Sequence, residues 1–312
     1  MLCALMMVGC GGRGNSKANA FQPHHFPSMP EPPAVITEPK EATEYVLSNY
    51  WNEFLAKAYP CDSGIVNGVP ADEVEKAFGT YVTLLERGCG IDFGRKAMAG
   101  FFDKVEKFEA ADTSTNVFEF FEEMVPKYFY DPNSPVRNED LYLPYVSRLA
   151  VSDYVDPDMK PAYDHDAQMC SLNMIGSPAA DFTFTDLGGK RHTLYGVKAE
   201  TTLLFFTNPG CPACKEIIES LTSDGKIADL VASGRLAVVN VYIDDELDKW
   251  RENASVYPKN WYNGYDQSYI IRSDVTYNVR AIPSLYVLDS EKKVIMKDAP
   301  VENVLPYLDN LK

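Results

Sequence analysis

Leu203-Leu204-Phe205-Phe206-Thr207-Asn208-Pro209-Gly210-Cys211-Pro212-Ala213-Cys214-Lys215-Glu216 is the stretch on which the reading of this 312-residue chain turns. Thr201 to Thr207 is a dense apolar run of strand length, which predicts a buried strand. Pro209-Gly210 then makes a tight turn, and Pro212 to Leu221 reads as a helix. Cys211 falls at the helix start and Cys214 one turn further on. A helix N-terminus carries unsatisfied N–H groups and a positive dipole end, and both favour a thiolate over a thiol. Sulfurs at i and i+3 also close a disulfide with little backbone movement. A lone Cys-x-x-Cys is equally half of a zinc site, but neither Cys170 nor His192 has a companion at ligand spacing, so no metal and no cofactor are expected.

Around this stretch the same half of the chain keeps one rhythm. Phe182 to Thr185 reads as a short strand before the Gly188-Gly189 turn, and Leu236 to Ile243 as a second buried strand. Leu247 to Ala254 is helical. Ser284 to Asp289 and Val294 to Lys297 form a hairpin around Glu291-Lys292-Lys293, and Val301 to Leu311 closes as a helix. Apolar strands alternating with helices predict a sheet covered on both faces. Tyr257, Trp261, Tyr262, Tyr265 and Tyr269 crowd one segment, which reads as a long loop packing on its own side chains rather than as an aromatic docking rim.

Residues 41–170 differ. Five apolar stripes recur at helical spacing: Leu47/Trp51/Phe54/Leu55/Ala58, Val74/Ala77/Phe78/Tyr81/Val82/Leu85, Phe101/Phe102/Val105/Phe108, Val117/Phe121/Met124/Val125/Tyr128 and Leu141/Tyr145/Val146/Leu149. These are ordinary core faces, and no clustered His, paired carboxylates or phosphate loop accompanies them. Residues 40–170 hold 12 basic and 24 acidic side chains, net −12, whereas residues 171–312 hold 15 and 19, net −4. The shift marks a domain boundary near 170, and the total of −16 excludes a nucleic-acid binder or a protein docked on anionic lipid by charge. Residues 11–40 are a proline-rich, extended tail that should pack no core, with His24 and His25 solvated in it.

The chain start, Met1 to Cys10, resembles the end of a bacterial lipoprotein signal, with Met7-Val8-Gly9-Cys10 at the lipobox position, although a basic n-region is missing. That resemblance implies lipidation of Cys10, export, and a membrane contact through the anchor alone. Cys61 and Cys89 both sit in turn-like sequence, where a structural disulfide between two helix ends and two free buried thiols are the alternatives.

Residues 171–312 as a whole resemble the extracytoplasmic thiol–disulfide oxidoreductases with a thioredoxin fold. Ile175-Gly176-Ser177-Pro178-Ala179-Ala180-Asp181-Phe182 resembles their opening segment, and Arg280-Ala281-Ile282-Pro283-Ser284 their cis-proline loop. The resemblance implies a two-domain chain: signal and tail in 1–40, an all-α domain in 41–170, and a thioredoxin-like α/β domain in 171–312, with a central mixed sheet and flanking helices. The helical half resembles, more weakly, an uncharacterised domain found ahead of such domains. It also implies that Cys211 attacks, Cys214 resolves, Pro212 and Ala213 form the active-site loop, and Ile282 and Pro283 bind substrate. The partners would be protein thiols and disulfides and an unidentified redox partner on the periplasmic side.

Three departures stand out. Gly210 replaces the usual Trp before the first cysteine, Phe205 replaces a buried Asp that serves many thioredoxins as proton acceptor, and Ile217 replaces a Glu used by several relatives. Glu216 points along another face of the helix. Two other readings compete: a peroxiredoxin-like peroxidase, for which Asn208 occupies a position that needs Thr or Ser, and a partner-binding lipoprotein using the fold as scaffold. A fragment covering 171–312 is expected to fold alone, with the helical half serving to position it or select a partner.

Overall fold

The computed structural model describes residues 21–311. Cys10, with the lipidation expected there, lies outside the described residues. The N-terminal half runs α1 (Pro39–Asn49), a hairpin β1 (Ile65–Val66) and β2 (Val69–Pro70), α2 (Ala71–Gly88), α3 (Ile91–Ala111), α4 (Val117–Phe129), α5 (Glu139–Leu149) and α6 (Lys160–Cys170). The stripes at Val74, Phe101, Val117 and Leu141 become the inward faces of α2 to α5. The first stripe does not stay helical: α1 stops at Asn49, whose side-chain amide caps the Tyr45 carbonyl, and Trp51 and Phe54 are carried inward by a run of turns. Trp51 is nevertheless the hub of the core, with the rings of Phe101 and Phe121 at 5.0 and 5.1 Å.

One expectation fails here. The segment ahead of α1 is not wholly solvated. Phe26 packs its ring 5.3 Å from Phe54 and 5.6 Å from Trp51, and the His24 N–H donates to the Gly68 carbonyl at 3.0 Å. His25 is exposed but meets Glu73 at 3.0 Å. A proline-rich strap reaches a core when one aromatic side chain is offered a slot, and composition alone hides that. The strap is also tied down at the turn from β1 into β2, where Asn67 and Gly68 both take positive φ, 45° and 79°, and the Gly68 carbonyl meets His24. A Cβ on Gly68 would meet Tyr59 Cβ at 2.8 Å.

Cys61 and Cys89 form no disulfide; both are free. Cys61 precedes the hairpin that feeds the start of α2, and Cys89 caps its other end. The 18 residues of α2 span about 27 Å, far beyond the roughly 7 Å that a disulfide tolerates between Cα atoms.

The C-terminal half builds one seven-stranded sheet. Its elements are β3 (Thr183–Asp186), β4 (Arg191–Thr193), β5 (Thr201–Thr207), α7 (Pro212–Ser223), α8 (Gly225–Ala232), β6 (Leu236–Tyr242), α9 (Leu247–Asn253), β7 (Tyr262–Tyr265), α10 (Ile270–Ser273), β8 (Ser284–Leu288), β9 (Val294–Met296) and α11 (Val301–Asp309). The strand order is β4-β3-β7-β6-β5-β8-β9, with β5, β6 and β7 parallel and the remaining pairs antiparallel. Every residue of β5 and β6 is buried, as expected for central strands covered on both sides. Leu203 and Phe205 face the layer of α7, α8 and α11, while Leu204 and Phe206 face Phe182, Tyr277 and Tyr286. Tyr257, Trp261 and Tyr265 are buried, so packing accounts for most of the aromatic segment. Among the described residues, no helix is long and apolar enough to cross a membrane.

Candidate active site

β5 ends at Thr207, and the next four residues make the bend that sets up the cysteines. The Cys211 N–H donates to the Asn208 carbonyl at 3.2 Å, and Gly210 takes φ +79°. With proline second and a left-handed glycine third, this is a type II turn. Its base is fixed by the Asn208 amide, which donates to Asp244 at 2.6 Å, and Asp244 in turn pairs with Arg272 of α10 at 2.7 Å.

Cys211 is the N-cap of α7, and its sulfur accepts from the Cys214 N–H at 3.1 Å. The two cysteines are joined as a disulfide, with Cα atoms 5.3 Å apart. Cys211 is half-buried, Pro212 and Ala213 are exposed, and Cys214 is buried. A sulfur at an N-cap replaces one missing partner of the orphan amides, and a negative charge there also gains from the helix dipole. Opening the disulfide therefore leaves Cys211 where a thiolate is favoured and accessible, and Cys214 behind it.

The Ile282–Pro283 peptide is cis. It leads into β8, whose first residue, Ser284, lies opposite Phe206 in the β5 ladder. Pro283 thus sits at the end of β5 from which the Asn208–Cys211 turn departs. Cys211 and Ile282 both pack, half-buried, against the apolar cluster that contains Cys214, Phe205 and Leu285. The structure brings together Cys211, Cys214, Pro212, Ala213, Ile282 and Pro283. Cys61 and Cys89 belong to the other half of the molecule.

Among the described residues, none of the positions considered for a proton acceptor places a buried carboxylate beside the cysteines. Phe205 and Ile217 are buried and apolar, and Glu216 is exposed. A neutral polar cluster lies one step along the same face of β5: Thr207 Oγ1 donates to Asn240 Oδ1 at 2.5 Å and lies 3.3 Å from the Tyr257 hydroxyl. Asn240 Nδ2 donates to Asn263 at 3.1 Å, and burial pushes the Tyr257 phenol up. Sequence reasoning passed over this cluster, although Asn240 interrupts an otherwise apolar strand.

The arrangement matches a solved structure over nearly its whole length. The crystal structure of a thioredoxin-like protein from Bacteroides caccae is 32% identical, and the match covers 90% of this chain and 97% of that one with a TM-score of 0.76. The chain belongs to the thioredoxin-like family. The helical half of this thioredoxin-like protein matches the family model described as a domain of unknown function (DUF5106), over residues 12–173. The C-terminal domain of an uncharacterized protein from Bacteroides fragilis is 44% identical, over 44% of this chain and 97% of that one, with a TM-score of 0.42. The thioredoxin domain of a thiol-disulfide oxidoreductase from Bacteroides vulgatus is 20% identical, over 44% and 99%, with a TM-score of 0.38. No curated protein matches the chain.

Proposed function

We propose that the protein is an extracytoplasmic thiol–disulfide oxidoreductase that exchanges disulfides with protein substrates through Cys211 and Cys214. The observation that carries this reading is the pair itself: an accessible sulfur at the start of α7, bonded to a buried one and flanked by a cis-proline loop. The reduced Cys211 thiolate attacks a substrate disulfide, forms a mixed disulfide and releases one substrate thiolate, which takes a proton from water. Cys214 loses its proton, attacks the Cys211 sulfur and releases the second substrate thiol. Two electrons pass to the substrate and the protein disulfide is restored. The half-exposed backbone beside Pro283 pairs with an extended substrate segment.

We assign residues 171–312 as the redox domain and 41–170 as a separate helical domain, with Cys10 as a lipid anchor on the periplasmic side. The apolar run before Cys10 and the polar, proline-rich stretch after it support that anchor. The test is dithiothreitol-driven insulin reduction run beside peroxide consumption. Insulin reduction without peroxidase activity is expected. Peroxide consumption alone, or neither activity, would overturn the assignment. For the anchor, mass spectrometry of protein from its native envelope should show a lipid on Cys10, and an unmodified peptide containing Cys10 would refute it.

A further inference from the structure

The cis-proline loop is short; the helical half holds its Arg280 end directly and its Ser284 end through Asp298. Ala281 is exposed and Ile282 and Pro283 are half-buried, but Arg280 before them and Ser284 after them are anchored inside. Arg280 Nε donates to Glu139 Oε1 at 3.0 Å, and its guanidinium lies 4.2 Å from the Tyr130 ring centre. Arg280 Nη2 also reaches Asp298 at 3.2 Å, and Ser284 Oγ donates to the other oxygen of Asp298 at 2.7 Å. Asp298 takes a left-handed φ of 42° and its carbonyl accepts from Arg137 Nε at 2.9 Å. Lys297 pairs with Glu139 at 2.8 Å and donates to the Cys170 carbonyl at 2.7 Å. Glu139, Arg137 and Tyr130 all belong to the helical half: Glu139 and Arg137 lie at or just before the start of α5, and Tyr130 caps the end of α4. The side chains of Glu139 and Lys297 are each 1% exposed.

The geometry points to a role for the helical half: Glu139 and Arg137 are positioning residues that hold the substrate-binding loop around Pro283 in register with Cys211. This rests on the oxidoreductase reading given above. A three-residue tip, Ala281 to Pro283, can present its backbone to an extended peptide only if its flanks do not move, because each degree of freedom fixed beforehand is one that binding need not freeze. Two ion pairs and one hydrogen bond in series, Glu139–Arg280–Asp298–Ser284, fix both flanks at once. Removing one member of a buried pair leaves its partner unsatisfied, so the chain is held or lost as a unit. The aspartate kept at positive φ fits a residue over-determined by its neighbours. The helical domain would thus act on affinity for protein substrates, and the sulfur chemistry would stay with α7.

The experiment compares wild type, Glu139→Gln, Arg137→Gln and the control Lys76→Ala, which removes only an exposed helix pair. Two quantities are measured: KM and kcat for insulin under dithiothreitol, and amide exchange of Arg280, Ala281 and Ile282. Glu139→Gln is expected to raise KM about tenfold with kcat falling less than threefold, and to speed loop exchange about tenfold. Arg137→Gln should do the same more weakly, and Lys76→Ala neither. The equilibrium constant of the cysteine pair with glutathione should move less than twofold in all. A variant that only unfolds part of its molecules loses kcat at constant KM. KM within twofold of wild type in both Glu139→Gln and Arg137→Gln, or unchanged loop exchange, would overturn the proposal. If wild type itself reduces no insulin, the oxidoreductase reading falls, and the exchange data alone decide whether the helical half holds the loop.

Discussion

The two halves of this molecule use the same material in opposite ways. In the helical half the aromatic side chains are the structure: Trp51 gathers Phe26, Phe54, Phe78, Phe101 and Phe121 around it, and no chemistry follows from them. In the sheet half the apolar residues of β5 and β6 are a foundation, and the cysteine pair proposed to carry the chemistry stands where β5 stops and the chain turns back. A core tolerates much redistribution of volume, while a site depends on a few atoms in one place. The halves should therefore respond to substitution very differently.

The sharpest test of that contrast is at the cysteines. Cys211→Ser should reduce insulin turnover to background while leaving the unfolding midpoint of the reduced protein close to that of reduced wild type. Cys214→Ser should instead accumulate mixed disulfides through Cys211, read by mass spectrometry. Trapping in the reverse mutant would invert the assigned roles.

Next in size is Trp51→Ala, which empties the centre of the helical core and should cost about 3–5 kcal/mol, measured by denaturant unfolding. Its interest lies in what else moves. If the ion pairs of Glu139 and Arg137 join the halves into one cooperative unit, the midpoint followed by activity falls together with that followed by helix signal. Separate midpoints would show that the halves unfold independently.

Phe26→Ala should cost about 1–2 kcal/mol, because its ring is only half-buried. No change in stability would return the segment ahead of α1 to the status of a passive tether.

The smallest effect is chemical. Under native conditions Cys61 should be alkylated first, while Cys170, whose thiol burial pushes up well above its usual range, and Cys89, shifted the same way, should react slowly. Rapid labelling of Cys170 would mean that α6 opens readily where it meets Lys297.

Much of the redox half was legible because its signals are local. A strand, a Pro-Gly turn and a helix start fall within fourteen consecutive residues, Leu203 to Glu216, and each is read by its own rule. The short strands β4, at the sheet edge, and β7, inside the sheet, escaped, since three or four residues such as Arg191-His192-Thr193 carry no usable alternation. Likewise α6, with polar residues at most positions and Cys170 as its one buried residue, has no apolar stripe to recognise. The ion pairs were illegible for another reason. Glu139 and Arg280 are 141 positions apart, and no pattern along a chain distinguishes a charge that will be buried from one that will be solvated. The free state of Cys61 and Cys89 was equally hidden, because it depends on how far α2 carries one from the other.

Apart from its chain neighbours, nothing lies within 4 Å of where a Cβ would stand on Gly210, so the space beside Cys211 is open there. The Gly210 φ of +79° nevertheless charges any L-residue about 1–2 kcal/mol in backbone strain. A bulky residue at this point would either carry that strain, as Tyr269 and Val275 do elsewhere in the chain, or need the Asn208–Cys211 turn rebuilt with negative φ. A chain with this bend keeps a bare approach to Cys211. For the attacking role proposed for that sulfur, discrimination among substrates then falls to other parts of the surface.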